Sequence, residues 1–512
     1  FALRVTKAHH TDYNAAREME TPSFEREDSL KENFVVEMSV AEYVVQCLVD
    51  CGVKHVFGGH GGAVVPLIDA VCANPGIEWV LMRNELNASI TAAAYAKMRG
   101  LDGLGCCVGT SGPGSSHLTT GIIEAVQDRL PLLCITGLKK ASSLGYSDFQ
   151  DINQSEIFRA AGCTMSFTIA HKDQIIPLIR DCVATALTQS TAVHLAIPVD
   201  VQQAIIRAPS KKLCSSGAGQ RVHNHLPCEE ELVGLAQRFI EFMKNPDHEF
   251  VIAVGRRGIQ ASAQVIALAE LLKAPVVTIL DAKGAVPENH PACAGCIGIF
   301  GNPGLEIPTK LMERCGTVVS VGVDNHMTLL VGTDGLQIRR HVEFDVDSSL
   351  IETRFNAEAT CVGPIRETLT RVVELIASKA AGIRREWPAE LAEHKLATPG
   401  SYEVSASEVS AGFCHPGAVL MRLSTLLPAR SVVCLDVGDV TLWAALALCL
   451  DKPEQRVLAS LRLGTMGYSI CGALAAGTLR PGASVVAIAG DGGVQVEYSR
   501  SRLIWLFVVG LC

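Results

Sequence analysis

Two acidic residues stand where apolar runs end and glycines begin. Glu85 lies in the stretch Trp79–His117 (WVLMRNELNASITAAAYAKMRGLDGLGCCVGTSGPGSSH), just past Val80-Leu81-Met82, which reads as a buried strand. Asp491 lies in Gly490-Asp491-Gly492-Gly493, directly after the strand-like run Ser484–Ala489. Glycines leave backbone N–H groups bare for a diphosphate, and an aspartate among them offers a hard oxygen to a Mg²⁺ or Ca²⁺ that bridges phosphates. Taken singly, each signal is weak. A glutamate near the first turn of a helix is favoured by the helix dipole alone, and Gly-Asp-Gly is a common turn.

Three other glycine turns follow strand-like runs. Gly58-Gly59-His60-Gly61-Gly62 comes after Val53–Phe57, and Gly109-Thr110-Ser111-Gly112-Pro113-Gly114 after Leu104–Val108. Bare backbone there lets a ligand or another chain approach closely. His60 reads equally well as a solvated loop residue or as a group of an active site. The third turn, Gly255-Arg256-Arg257-Gly258 after Phe250–Val254, lacks a full dinucleotide fingerprint and reads better as a structural turn than as a phosphate cradle.

The elements that must position these groups alternate between strand and helix. Ser39 is a plausible N-cap for a helix to Cys51 with Val40, Val44, Cys47 and Leu48 on one face. Beyond Glu85, Ala88, Thr91, Ala92, Tyr95 and Ala96 recur at helical spacing. Strands are expected at Leu130–Thr136 and Val193–Val199, and a helix at Ile175–Thr188. The polar segment Leu144–Gln154 between them reads as a loop with one aromatic anchor. Strand, acid, helix, strand and glycine turn make a βαβ unit with its site at the strand ends. The same alternation recurs twice. Helices are expected at Glu230–Met243, Ala261–Leu272 and Pro308–Cys315, and strands at Phe250–Val254, Pro275–Ile279, Thr317–Val321 and Val342–Val346. Last come helix Gly417–Leu427, strand Ser431–Leu435, helix Ser469–Leu479 and strand Ser484–Ala489.

The expected organisation is therefore α/β, with three doubly wound parallel-sheet domains. A polar N-terminal extension spans 1–37, the first domain 38–207, a linker 208–228, the central domain 229–379, a second linker 380–410 and the last domain 411–512. A net charge of −9 gives no basic surface for nucleic acid or an anionic membrane. No stretch is long and apolar enough for a convincing transmembrane helix. The 19 cysteines sit among apolar neighbours without zinc or disulfide spacing, as buried thiols do in a reducing compartment, cytoplasmic or organellar.

The order of these motifs is far more specific than any one of them. FGGHGGA, RNELNAS, GTSGPGSSH, LGYSDFQ and VHLAIPVDVQ come first, TILDAKGAVPENHP follows, and DVGDVTLWAA, LGTMGYSICGALAAG and VVAIAGDGG come last. In this order, from about Ser39 to Gln495, the chain resembles the thiamine diphosphate-dependent 2-oxoacid enzymes, in the branch of acetolactate synthase large subunits and pyruvate oxidases. The resemblance implies a pyrimidine-binding, a central and a diphosphate-binding domain. It also implies a homodimer or homotetramer with its sites between subunits, small 2-oxoacid substrates and a place in branched-chain amino acid biosynthesis. By that likeness Glu85 matches the glutamate that hydrogen-bonds the aminopyrimidine and promotes loss of the thiazolium proton. Gln150 matches the glutamine of the loop facing the cofactor, and His60 stands in the Gly-Gly loop beside it; Gly61, Gly112, Pro113 and Gly114 match turns beside the pyrimidine. Asp436, Gly438 and Thr441 fall in the segment that meets the diphosphate end. Gly464 and Met466 belong to the loop that props the cofactor into its bent shape, with an ordinary core methionine as the bland alternative. Gly490, Gly492 and Gly493 match the phosphate turn, and Asp491 the ligand of Mg²⁺.

The chain also departs from the pattern. Acetolactate synthases usually carry Tyr-Pro where Gly59-His60 stands; a histidine is more similar to carboligating lyases such as benzaldehyde lyase. Val323-Asp324-Asn325 stands where flavin-binding members often carry arginines, so the resemblance leaves FAD open, as it does a regulatory subunit. The family's second metal ligand, an Asn about two dozen residues past the aspartate, has no counterpart among the 21 residues after Asp491, and the last domain is expected to be incomplete. The resulting expectation is decarboxylation of a 2-oxoacid such as pyruvate with carboligation to a second 2-oxoacid. Pyruvate oxidase, decarboxylase or lyase chemistry is the alternative, and a non-catalytic homologue the rival of another class.

Overall fold

The computed structural model describes residues 35–100, 103–209, 226–298, 306–323, 338–350, 357–391, 415–496 and 508–510. Most of the expected extension and linkers, Asp324, Asn325 and most of the tail after Glu497 lie outside the described residues.

The first unit opens with β1 (Val35–Ser39) and α1 (Val40–Asp50). Ser39 and Glu42 form a reciprocal cap: the Ser39 amide donates to Glu42 Oε2 at 2.7 Å, and the Glu42 amide donates to Ser39 Oγ at 3.2 Å. Then follow β2 (His55–Gly58), α2 (Val65–Ala73), β3 (Glu78–Leu81), α3 (Glu85–Arg99), β4 (Gly105–Gly109), α4 (Pro113–Ser116), α5 (Thr119–Gln127), β5 (Leu132–Leu138), α6 (Gln154–Ala160), β6 (Ser166–Thr168), α7 (Ile175–Gln189), β7 (Ala192–Pro198) and β8 (Ile205–Pro209). Six strands make one parallel sheet in the order β3-β2-β4-β5-β7-β6. β1 and β8 pair antiparallel from Val35↔Pro209 to Ser39↔Ile205 and tie the ends of the unit together. The expected polar extension thus gives residues 35–37 to a strand, where Val35 and Val36 suit a pleated ribbon.

The central unit contains α8 (Glu229–Met243), β9 (Phe250–Val254), α9 (Ser262–Leu272), β10 (Val276–Thr278), β11 (Cys293–Cys296), α10 (Glu306–Arg314), β12 (Thr317–Val321), β13 (His341–Asp345), β14 (Ala359–Val362) and α11 (Ile365–Lys379). Its sheet is parallel throughout, in the order β11-β10-β9-β12-β13-β14. The last unit contains α12 (Pro416–Leu426), β15 (Val432–Leu435), α13 (Asp439–Ala447), β16 (Arg456–Ala459), α14 (Tyr468–Leu479), β17 (Val485–Ala489), α15 (Asp491–Val496) and β18 (Val508–Gly510). Its parallel sheet runs β16-β15-β17-β18.

All three sheets are wound alike. The chain starts in an inner strand, steps to one side, then crosses to the other. The crossing leaves a crevice at the carboxyl ends of β2 and β4, of β9 and β12, and of β15 and β17, where open α/β sheets take their ligands. The first and last units share one core. α3 is buried on nearly every face because α14, rich in Gly and Ala, packs against it. Ile90, Ala94, Leu118, Tyr468, Cys471 and Ala476 belong to that common core. Small residues let the two backbones approach, and dispersion gains follow from the closer contact. Most described cysteines are buried, and none is disulfide-bonded. Among the described residues no helix is long and apolar enough to cross a membrane.

Candidate active site

Glu85 is the first residue of α3, and Asn84 caps that helix by accepting the Leu86 amide at 2.9 Å. The carboxylate therefore stands at the positive end of a 15-residue helix, with its side chain 17% exposed. The turns after β2 and β4 close over it with bare backbone. A Cβ on Gly59 would lie 2.7 Å from Glu85 Oε1, and one on Gly114 3.2 Å from the same atom. Beside Oε2 is His117 Nδ1, at 3.5 Å. The two turns also touch each other: a Cβ on Gly61 would lie 2.4 Å from Thr110 Oγ1. His60, in the same turn as Gly59, is exposed.

Gln150 comes to this crevice from the loop before α6. Its backbone is left-handed, with φ of +60°, and its Oε1 accepts a hydrogen bond from Ser111 Oγ at 2.7 Å. Gly112, at φ +63°, precedes Pro113 and the short helix α4; a Cβ there would lie 2.8 Å from the Cβ of Gln150. The loop is held by an acid, not by the aromatic anchor expected from sequence. Asp151 accepts the amides of Gly145 at 2.9 Å and Ser147 at 3.2 Å, whereas Tyr146 is 76% and Phe149 79% exposed. The amide hydrogen bonds and Lys139, 3.6 Å from Asp151, fix the turn electrostatically.

The second crevice is that of the last sheet. Asp436 follows β15, and its carboxylate is buried and committed to backbone. It accepts the Gly467 amide at 2.9 Å on each oxygen and the Val437 amide at 2.9 Å. Burial pushes its carboxyl above the usual aspartate range, against the pull of those amides. A Cβ on Gly493 would lie 2.1 Å from Asp436 Oδ2, so the turns after β15 and β17 lock together there. Thr441 Oγ1 donates to the Asp436 carbonyl at 2.8 Å and closes the turn through Gly438. These two side chains shape the loop and point their polar atoms into it. The open groups lie beside them. Asp491 is exposed; a Cβ on Gly490 would meet nothing within 4 Å; and a Cβ on Gly492 would lie 3.0 Å from Met466 Cε. Met466 is 46% exposed, unlike an ordinary core methionine, and Gly464 two residues earlier turns the chain with a φ of +72°.

These residues fit thiamine diphosphate at both ends. A flat aminopyrimidine needs a carboxyl at its edge and backbone without side chains on its approach, as Glu85, Gly59 and Gly114 provide. The diphosphate end needs open amides and a hard oxygen, as Gly490 and Asp491 provide. Among the described residues no group of three or more His, Cys, Asp or Glu could hold a metal by itself.

Sequence reasoning assigned no role to Ser111 and His117, the partners of Gln150 and Glu85. Both lie in the GTSGPGSSH stretch, and their polarity beside so many glycines was the available signal.

Comparison with known proteins agrees with this geometry. Residues 38–157 match the N-terminal TPP-binding domain of thiamine pyrophosphate enzymes, 236–372 their central domain and 436–500 their C-terminal TPP-binding domain. The acetolactate synthase large subunit of Corynebacterium glutamicum is 30% identical over 479 residues, 90% of this chain and 71% of that relative. The isozyme 3 large subunit of Escherichia coli is 28% identical over 472 residues, 90% of this chain and 79% of the relative. The large subunit of Buchnera aphidicola from Schizaphis graminum is 27% identical over 467 residues, with shares of 90% and 78%. The three domain matches in the family's order, together with the acetolactate synthase relatives and two crevices on sheets wound alike and joined by one core, make this chain a member of the thiamine pyrophosphate enzymes, of the acetolactate synthase type.

Proposed function

We propose that the protein decarboxylates pyruvate and joins the two-carbon unit to a second 2-oxoacid. The observation that carries this reading is the Glu85 carboxylate at the head of α3, enclosed by the bare backbones of Gly59 and Gly114. When bound, thiamine diphosphate supplies the electron sink that lets a 2-oxoacid lose CO₂. Glu85 offers a carboxylate oxygen to the pyrimidine edge and exchanges a proton there. Gly59 and Gly114 keep side chains off that edge. Ser111 fixes the Gln150 amide, which can donate a hydrogen bond toward a bound oxoacid. Asp491 would hold Mg²⁺ at the diphosphate end, and Met466, half exposed beside Gly492, would offer the cofactor an apolar support.

The reading includes a site completed by a second subunit. Leu81, Phe149 and Met466, all substantially exposed around the two crevices, favour burial against another copy. A smaller partner subunit belongs to the proposal as well, because the relatives are named as large subunits. His60 in place of Tyr-Pro supports a second reading, in which the carboligation acceptor is an aldehyde.

The test is turnover of pyruvate by the purified chain with thiamine diphosphate and Mg²⁺, with products assayed as CO₂ and as acetoin after acid treatment. Acetolactate as the product, abolished in Glu85→Gln, supports the proposal. Acetaldehyde or acetate without a carbon–carbon bond overturns it, and reduction of a bound flavin by pyruvate would mark an oxidase.

A further inference from the structure

Glu124 is a carboxylic acid on α5 with no exposed surface, and its hydroxyl partners come from across the seam with the last domain. Its Oε2 accepts two hydroxyl hydrogen bonds from across that seam, from Ser460 Oγ at 2.6 Å and Thr465 Oγ1 at 2.7 Å. Ser460 Oγ in turn accepts the Thr465 amide at 2.9 Å. One oxygen thus closes both ends of the loop between β16 and α14. The loop is gripped at two further points. Lys97 of α3 donates to the Ala459 carbonyl at 2.7 Å, and Arg462 donates to the Gln127 carbonyl at the end of α5. The next residues after Thr465 are Met466 and Gly467, the first beside Gly492 and the second bound to Asp436.

We infer that Glu124 is a positioning residue for the cofactor-facing loop of the last domain, acting through Ser460 and Thr465 across the domain seam. The inference rests on the thiamine diphosphate site assigned to that loop. The sheet of the last domain does not need a carboxylate at this place. Nothing in α5 needs one either: among the described residues the other oxygen, Oε1, has no hydrogen-bond partner. A buried acid kept for loop geometry accounts for both facts. The charged and titratable groups around it are Asp128 and Lys97 from the first domain, Tyr468 from α14, and Arg256 and Asp281 from the central domain. Burial and the charge of Asp128 push the Glu124 carboxyl up to about 7, with Lys97 and the two hydroxyls opposing them. The ionised form is the better acceptor for both hydroxyls, so the loop is held more firmly as pH rises through that value.

The experiment compares the full chain with Glu124→Ala, Glu124→Gln and Thr465→Val. Thiamine diphosphate binding with Mg²⁺ is measured by calorimetry, and amide hydrogen exchange is followed over 459–468 without cofactor. Glu124→Ala is expected to weaken cofactor binding roughly tenfold and to speed exchange at the Thr465 and Gly467 amides. Adding Thr465→Val to Glu124→Ala then costs little more, because both act through one contact. Glu124→Gln keeps a neutral acceptor oxygen; it is expected to bind within about twofold of the parent at pH 6 and to lose the parent's tightening toward pH 8. Unchanged affinity and unchanged loop protection in Glu124→Ala overturn the inference. So does a lower melting temperature alone, which is all that a purely structural acid would show. If Glu124→Ala does not fold, Thr465→Val decides: binding weaker by about threefold supports the inference, and parental binding overturns it. A parent that binds the cofactor but makes no acetolactate sinks the proposed reaction and leaves this comparison of affinities readable.

Discussion

The crevices of the first and central sheets are wound alike but filled differently. Between β2 and β4 the turns leave a carboxylate, an exposed histidine and bare glycine backbone facing outward. Between β9 and β12 the described residues close on themselves. A Cβ on Gly255 would lie 2.3 Å from the Gly322 carbonyl oxygen, and one on Gly258 2.5 Å from the Val321 carbonyl oxygen. Arg257 points inward and binds Asp345 with two hydrogen bonds, Nε to Oδ1 at 2.9 Å and Nη2 to Oδ2 at 2.6 Å. The comparison shows that topology provides the crevice and the side chains decide its use. In the first, glycine lets the turns close around a carboxylate that stays partly open; in the other, it lets two turns of the chain close beside a buried ion pair.

The sharpest way to break this comparison is to change one charged residue of each crevice in turn. Glu85→Gln keeps the shape and removes the carboxylate proposed to meet the pyrimidine edge. Turnover of pyruvate is expected to fall by about 10²–10⁴-fold, the range for lost general acid–base catalysis, with no loss of melting temperature. Arg257→Met is expected to do the reverse. It leaves Asp345 buried without its cation, which costs about 3–5 kcal/mol. Urea unfolding followed by the fluorescence of the tryptophans would show the earlier transition, while turnover per folded molecule stays near the parent value. A Glu85→Gln enzyme that keeps full turnover would put the first crevice in the same class as the central one.

Much of this division was legible in the sequence, for a physical reason. Strands buried on both faces, such as Phe250–Val254 and Thr317–Val321, read as uninterrupted apolar runs, and their boundaries emerge as expected. Glu85 and Asp491 could be singled out because strand ends carry the chemistry in such sheets. Short or small-residue elements were missed. β11 is Cys-Ala-Gly-Cys, β16 has four residues with an arginine at its head, and α13 is apolar on most faces and so has no helical period. The grip of Glu124 on Ser460 was also invisible, since 336 residues separate the partners and no local pattern announces a contact across a seam. Likewise the turn Gly255–Gly258 could be doubted as a phosphate cradle from its composition, but only the folded chain shows Arg257 turned in on Asp345.

A smaller effect sharpens the contrast between the two buried or half-buried glutamates of the first domain. In the folded protein Glu124 holds its proton up to about 7, whereas an ordinary glutamate releases it near 4.5. The unfolded chain therefore gives up a proton that the folded chain retains between those values. By linkage, this group favours the folded state most at low pH, and its contribution falls as pH rises from about 4.5 to about 7, then levels. The full excursion is about 3 kcal/mol at 1.36 kcal/mol for each pH unit. Glu124→Gln should flatten that part of the stability profile, so that it gains on the parent in urea midpoint from pH 5 to pH 8. Equal slopes in parent and variant would show that the carboxylate is ionised throughout and that Lys97 outweighs burial.

The smallest expected effect concerns the turn that brings Gln150 to Glu85. Gly112 is left-handed, and a methyl group there would both strain the backbone and press on the Cβ of Gln150 at 2.8 Å. Strain of a non-glycine residue in that region costs about 1–3 kcal/mol. Relief is available, because the Gln150 loop is exposed and is held mainly by Asp151 and the Ser111 bond. The methyl group should therefore push Gln150 outward and break its bond to Ser111, and the global fold should survive with a stability loss of about 1 kcal/mol. The kinetic signature separates this from damage at Glu85. Gly112→Ala should raise KM for the oxoacid more than it lowers kcat, since the proton exchange proposed for Glu85 is untouched while the Gln150 amide proposed to face the substrate is displaced. A drop in kcat with KM unchanged would mean that the turn after β4 positions Glu85 itself, and that the two halves of this crevice are mechanically one.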